Sequence, residues 1–588
     1  MMTHFKYIYK SIALAACSLL LVACDDKLDE VPDNRTEIDT PAKVASLLTS
    51  AYPDATPAVI CELSGDNYVD NNVVVPATHN DVYTNFNEEA YQWRDIRNYQ
   101  LNDNDAPYSV WQAYYNGIAT VNHAIEAMEK LCPGIGDLST EEVAVRYPEV
   151  SASWGEAHVL RAYLHFVLVN VFAEAYKTPE ASRNDWGIPY VRVTEHVVHV
   201  DYSTDEFRHN VTETYDLIEE DLLRGLPLIN DANYKVPAYH FNKNAANAFA
   251  ARFYLFKRDY EKCVNYATIA LGANPSAALR KWNTINQNTI LSRQLDYNDA
   301  TLPCNFLIQS TYSLQDRMLG ACRYAVNTGA DITVQGRKWQ VPSTIDILYT
   351  GGGPNWSDML PAYEGNIMVW GAGQQYGIWL FRLYEFFEYI DKIAGIGYIH
   401  ILYQPFTAEE TLLCRAEAQL YLGHQQVAIR DLEYWTTGKG VSTPLTLADI
   451  TSKYSRARHN IYCDDMHPME MGFERVLDGS SDQAVLDCIL HFRRIETQFE
   501  GMRWFDIKRY GTTVYHYYRG ANEDEIHVDS LTWNDPRRVL QLPQNVMDAG
   551  YPGSRPTSGS LSGGGTPGYQ VSVSKRDDAP AVSPYIPQ

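Results

Sequence analysis

Residues 493–511 read RRIETQFEGMRWFDIKRYG. They close the last helix expected in the chain, Ser481 to Tyr510, and a loop-rich end follows. Glu500, Asp506 and Arg503 put two carboxylates and a guanidinium into this one block. That set would suit acid–base chemistry, and it would equally suit an ion-pair network at a helix end. Upstream lies LLCRAEAQLYLG, ending at Gly423 and followed by a second helical stretch, Gln425 to Trp435. A similar pair precedes it at Asn244–Arg258 and Tyr260–Leu271, where Tyr260, Tyr266, Ala267, Ala270, Leu271 and Pro275 recur at the spacing of half a tetratricopeptide unit. Two such pairs, far apart in the chain, predict a helical-repeat scaffold with a long insertion.

Other segments fit that scaffold. From Pro107 onward Trp111, Tyr114, Tyr115, Ile118, Val121, Ile125 and Met128 fall at three- and four-residue steps, which predicts an amphipathic helix with Trp111 in its core stripe. Trp154 to Ala175 is apolar nearly all round, the mark of a buried helix. Ser203 to Glu206 has capping-box spacing and predicts the start of a helix running to Leu226-Pro227. The insertion, about 276–405, is rich in Gly, Asn, Thr and aromatics, and short β segments are expected there. A connection of this length is usually functional.

The N-terminus reads as an address. Lys6 and Lys10 precede an apolar run from Ile12 to Val22, and Leu21-Val22-Ala23-Cys24 ends it. That order is a secretory signal, 1–23, and resembles a bacterial lipobox with Cys24 as the acylated residue. Several acyl chains on one cysteine make a stable anchor. Residues 24–45 read as a lipidated tether and 46–588 as one domain. Its scaffold spans about 105–275 and 406–511, with a loop-rich part at 512–588.

Without the leader, 46 basic residues face 73 acidic ones. Such a surface repels nucleic acid, and it disfavours anionic polysaccharides unless a local basic patch offsets the field. The eight cysteines beyond Cys17 and Cys24 are scattered without a C-x-x-C, so no zinc ribbon or redox pair is signalled. Cys263 and Cys414 sit in helical patterns as small apolar residues, whereas Cys304 and Cys322 could pair. No H-E-x-x-H, G-x-S-x-G or Walker A sequence occurs. Glu195-His196-x-x-His199-x-Asp201 alternates with valines as a strand would, and Cys463-Asp464-Asp465-x-His467 is a weak metal pattern. No catalytic residue, cofactor or metal is therefore expected.

Taken in order, these blocks resemble the SusD/RagB family of nutrient-binding outer-membrane lipoproteins of Bacteroidetes. Glu156-Ala157, Leu160-Arg161-Ala162-Tyr163 and Phe166 are similar to its buried helix, Gly187-Ile188-Pro189 follows in place, and Leu542-Pro543-Gln544 matches its closing segment. Phe499-Glu500-Gly501, Arg503-Trp504-Phe505-Asp506 and Lys508-Arg509 are its most specific signature. Gly550-Tyr551 departs from the usual Asn-Pro. The resemblance implies a mostly α, tetratricopeptide-like scaffold, and it makes the Glu500–Asp506 block structural. It implies capture of an oligosaccharide for a SusC-like TonB-dependent outer-membrane transporter, with the chain held in outer-membrane lipid through Cys24. Asp25 and Asp26 resemble a surface-export signal. The alternatives are a RagB-type peptide receptor and a surface glycoside hydrolase.

Aromatic rings can cover the apolar faces of a sugar while amides and carboxylates take its hydroxyls. Covering ~100 Å² contributes at most ~2.5 kcal/mol, so several rings are needed. Two zones, which the resemblance implies as binding zones, supply them. The first holds Asp66, Asn67, Tyr83, Tyr91, Trp93 and Asn98, with Trp93 and Asn98 as the leading pair. The second, in the insertion, holds Trp339, Trp356, Trp370 and Tyr376, together with Trp282, Tyr297 and Tyr312.

Overall fold

The computed structural model describes residues 38–70, 85–96, 104–195, 201–202, 204, 207–285, 288–319, 324–325, 331–334, 337–340, 369–371, 378–439, 441, 443–455, 463–477, 479–519, 526–555 and 571–573. Cys24, the leader and most of the tether lie outside them, as do Cys322 and the His196–His199 pair.

The fold is mostly α. Helices α1 (Ala58–Ser64), α2 (Pro107–Leu131), α3 (Pro148–Phe172) and α4 (Val211–Gly225) precede two repeat pairs. The pairs are α5 (Lys243–Lys257) with α6 (Tyr260–Leu271), and α7 (Ala408–Tyr421) with α8 (Gln425–Gly438). Then come α9 (Ser481–Glu496), α10 (Met502–Tyr510) and the short α11 (Gln544–Asp548). Contacts run α2–α3–α4 in one stack and α5–α6–α7–α8 in another, with α9 lying on α7. Two strands, β1 (Trp186–Pro189) and β2 (Arg208–Asn210), pair between α3 and α4. The insertion contributes β3 (Asn305–Tyr312) and β4 (Tyr384–Asp391), and β5 (Ile396–Thr407) runs from it into α7; they form an antiparallel sheet in the order β4-β5-β3. The end of the chain, expected as loops, adds a sheet of β6 (Val514–Arg519), β7 (Ile526–Leu531) and β8 (Val571–Val573).

Helix α3 is buried on every face, including Glu156, His158, Arg161, His165 and Asn170. Each of these polar groups has a partner. Glu156 accepts from Tyr52, Arg161 pairs with Asp221, and Asn170 donates to the Phe166 carbonyl and accepts from Tyr215. Cys263 and Cys414 are buried free thiols, and Cys263 Sγ lies 3.6 Å from the Cys414 carbonyl.

Two expectations change. The helix expected from Ser203 starts at Val211, where Asn210 and Glu213 form the capping box instead, because β2 first pairs with β1. The helix expected to run unbroken from Ser481 to Tyr510 is two helices. Phe499 and Gly501 adopt positive φ of 73° and 74° between them. A Cβ at Gly501 would stand 2.9 Å from Cys61 Cβ, so glycine admits both the turn and the close approach of α1.

The break lets the signature block form a network. Arg493 is fully buried, with Nε 3.0 Å from Asp506, Nη1 3.4 Å from Glu410 and 3.1 Å from Cys414 Sγ. Arg509 chelates Glu417 at 2.8 and 3.1 Å and reaches Asp506 at 2.7 Å. Arg252 of α5 approaches the other side of Glu410 at 3.2 Å. Asp464 is held by Arg503 at 2.8 Å, which makes it part of the frame. Removing one partner of a buried ion pair leaves an uncompensated charge. Arg493→Ala should therefore cost about 3–5 kcal/mol in chemical denaturation. Lys262→Ala, which breaks pairs from a lysine 46% exposed, should cost under ~1 kcal/mol in the same assay.

Candidate ligand-binding site

The described residues of the first zone named by the sequence are largely interior. Asp66 receives Arg503 through Nε and Nη2 at 2.8 and 2.7 Å. Burial raises its carboxyl, but Arg494 and Arg503 outweigh that and hold it below the usual range. Asn67 accepts from Arg494 at 2.7 Å and donates to Glu62 at 3.1 Å. Glu62, pushed up to about 7 by burial, accepts the Gly501 N–H at 3.0 Å. Tyr91 and Trp93 stack on opposite sides of His516, with ring centroids at 4.2 and 4.1 Å. Trp93 Nε1 donates to the Ser64 carbonyl at 2.9 Å, and the ring is 1% exposed. Trp93, one of the leading pair of ligand-contact candidates, thus has its ring surface spent on the core in this structure, and its companion Asn98 lies outside the described residues. Asp66, Asn67, Tyr91 and Trp93 tie α1 and its following loop to the signature block and to β6.

Tyr83, Asn98, Trp356 and Tyr376 lie outside the described residues. Trp339 and Trp370 are placed by backbone alone, opposite Ile332 and Trp379 in two short hairpins. Trp282 and Tyr297 are buried. Tyr312 is half-buried on one face of the β4-β5-β3 sheet, where its ring lies 4.2 Å from His400 and 5.3 Å from Tyr398.

A cavity of about 570 Å³ opens elsewhere, between α2, the segment after β1 and α11. Trp111 and Tyr115 form its floor, with ring centroids 4.7 Å apart. Val191 and Val193 make one wall, Val546 and Tyr551 the other. Asn116, His123, Thr194, Glu195, Asp201 and Asn545 bring polar groups to it. The size is that of a small-ligand site, apolar within and polar in a few places. Its residues come from three stretches of chain, none of which the sequence marked as a ligand-binding zone, although Glu195 and Asp201 belong to the pattern weighed as a metal site or a strand. Trp111 was read as core, and it is half right, since its ring also packs edge-on against Phe172 at 5.2 Å. Tyr551, in the departure from the family's Asn-Pro, lines the cavity. Asn116 and His123 flanking the Trp111–Tyr115 stripe were the available signal.

The wall is positioned from the core. Asn122 of α2 donates to the carbonyls of Val191 and Val193 at 3.1 and 3.3 Å. Its own oxygen accepts from Arg161 at 2.8 Å. Arg161 in turn chelates Asp221 at 2.8 and 2.8 Å, and Tyr190 donates to Asp221 at 2.7 Å. Burial would raise the Asp221 carboxyl, but Arg161 and His158 hold it well below its ordinary value. His165 stacks on Tyr190 at 3.8 Å. Its Nδ1 lies 2.9 Å from the Arg161 carbonyl and its Nε2 3.1 Å from the Val191 N–H. That pattern assigns a neutral ring, donating at Nδ1 and accepting at Nε2. Tyr115 donates to the Pro189 carbonyl at 2.8 Å, and burial pushes its phenol well up.

Two family models match the chain. One, described as starch-binding and associating with the outer membrane, covers residues 26–255. The other, described as the SusD family, covers residues 382–549. Solved structures share the fold. A SusD superfamily protein from Bacteroides vulgatus is 17% identical over 89% of this chain and 99% of its own, with a TM-score of 0.54. One from Bacteroides thetaiotaomicron is 16% identical over 87% and 98%, at 0.51. One from Bacteroides fragilis is 16% identical over 87% and 99%, at 0.50. No curated protein matches the chain.

Burial holds His165 near 3, against an ordinary 6.5. The unfolded chain therefore binds a proton that the fold refuses, and stability falls as pH drops through that window. His158 and His516, each held near 4 mainly by burial, add to the same slope. Urea midpoints measured from pH 7 to 4 should fall steadily. His165→Gln, which cannot take that proton, should flatten part of the slope; an unchanged slope would show that His165 does not stay neutral in the fold.

Proposed function

The chain belongs to the SusD family, and from that premise we propose that it captures an oligosaccharide at the outer membrane and delivers it to a TonB-dependent transporter. The observation that carries the ligand class is the cavity. Its Trp111–Tyr115 floor and Tyr551 wall suit the C–H faces of sugar rings, and its amide, hydroxyl and carboxylate groups suit hydroxyls. The description of the first family model, starch-binding and outer-membrane associated, points the same way. Among the described residues no helix is long and apolar enough to cross a membrane. In this reading the attachment is lipid on Cys24, with the domain facing outward. Transport partner and acylation rest on the family resemblance and on the leader, and capture needs no catalytic group.

Glycan arrays run beside peptide pools test the ligand class; binding of peptides alone would sink the glycan reading. Trp111→Ala and Tyr551→Ala should each weaken oligosaccharide binding about tenfold, the equivalent of ~1.4 kcal/mol of lost ring contact. Protease added to intact cells should digest the domain, and full protection would contradict the outward placement.

A further inference from the structure

The charge of the cavity says which oligosaccharides it can take. This inference rests on the reading of the cavity as a glycan site. Among its described lining residues there is no lysine or arginine, while Glu195 and Asp201 bring two carboxylates. Glu195 is exposed and accepts a hydrogen bond from the Tyr202 hydroxyl, which is also in the lining. A neutral phenol orients that carboxylate without cancelling its charge. Arg192, on the same segment, is spent on Glu220 at 3.0 Å and Asp221 at 3.7 Å. Arg208 lies over the exposed Trp186 ring at 3.6 Å, outside the lining, and among the lining residues its charge is felt at Tyr551. Around all this the chain carries a formal charge of −25. The local basic patch that could reverse such a field is thus missing from the described lining.

We propose that the cavity is a charge filter. It admits uncharged oligosaccharides and excludes those bearing carboxylates or sulfates, with Glu195 as the residue that sets the discrimination. The physical reason is like-charge repulsion between Glu195 and a ligand carboxylate brought close to it at the cavity, which strengthens as the local dielectric falls. Uncharged hydroxyls can instead donate to the same oxygens, so one group both favours the right ligand and rejects the wrong one. Aromatic rings alone could not do this, since they stack on neutral and acidic sugars alike.

Matched probes separate the possibilities. Neutral gluco-, galacto- and manno-oligosaccharides are titrated by calorimetry against the full chain beside their C6-oxidised, uronate forms. The expected result is binding of at least one neutral member and about tenfold or weaker binding of its uronate partner. In Glu195→Gln the ratio of uronate to neutral affinity should rise about tenfold, and Glu195→Asp should keep the original ratio. The wild-type penalty should also shrink as salt is raised. Equal affinity for both forms in the wild type, or an unchanged ratio in Glu195→Gln, overturns the filter and leaves glycan capture standing. Uronate binding with no neutral binding also overturns it. If no member of either set binds, capture of these sugars by the cavity falls, and the filter falls with it.

Discussion

Arg493 has no exposed surface, and a guanidinium cannot lose its charge to escape burial. It must therefore be paired where it stands, and the fold supplies those pairs from distant parts of the chain. Asp506 comes from the next helix and Glu410 from the second repeat pair, while Arg252 of the first pair holds the far side of Glu410. Arg509 extends the set to Glu417. Four helices are thus fixed by charges that cannot be left alone in a dry interior. A buried pair is a weak source of net stability against an apolar replacement, but it is unforgiving of misplacement. The network is best understood as setting the register between repeat pairs rather than as a reserve of binding energy.

The turn at Phe499–Gly501 is what allows this. A continuous helix from Ser481 would carry Asp506 past Arg493 along one axis. Breaking the helix turns α10 back so that Asp506 and Arg509 face α7 and α9. The same turn presents the Gly501 N–H to Glu62 and aims Arg503 at Asp66, so α1 is attached in the same place. Burial pushes Glu62 up to about 7, and it still accepts two hydrogen bonds, from Gly501 and from Asn67. Among the described residues between the tether and α2, Asp66, Asn67, Tyr91 and Trp93 therefore serve the frame.

This explains what the sequence could and could not show. The repeat pairs and α3 were legible because a helix declares its buried face within a few residues. The break in the last helix was not, since Phe499 at positive φ is visible only once α1 approaches Gly501. Trp93 misled for a related reason: a loop tryptophan without apolar neighbours in sequence looks free, yet its stacking partner His516 is more than 400 residues away. Trp111 misled in the opposite direction. Its helical stripe is real, but α2 lies at the edge of the stack, so the stripe is shared between Phe172 and the cavity. A site assembled from 111–123, from 189–195 with 201–202, and from 545–551 leaves no single motif to find.

The cavity and the frame are joined through α3. Arg161, one residue of the family's buried-helix block, chelates Asp221 on one side and orients Asn122 on the other. Asn122 then holds the carbonyls of the cavity wall, and His165, one turn along α3, holds the Val191 N–H. The wall segment thus has peptide groups of Val191 and Val193 satisfied from the interior, while the side chains of Val191, Val193, Thr194 and Glu195 line the opening and Arg192 turns to Glu220 and Asp221. That division of labour separates two demands on the same strand. Backbone position is fixed from the interior by Asn122 and His165, while Val193, Glu195 and Tyr551 offer their side chains to the cavity. In the proposed reading, ligand preference can change at Glu195 or Tyr551 without disturbing Arg161, so the signature blocks identify the scaffold and say little about the ligand.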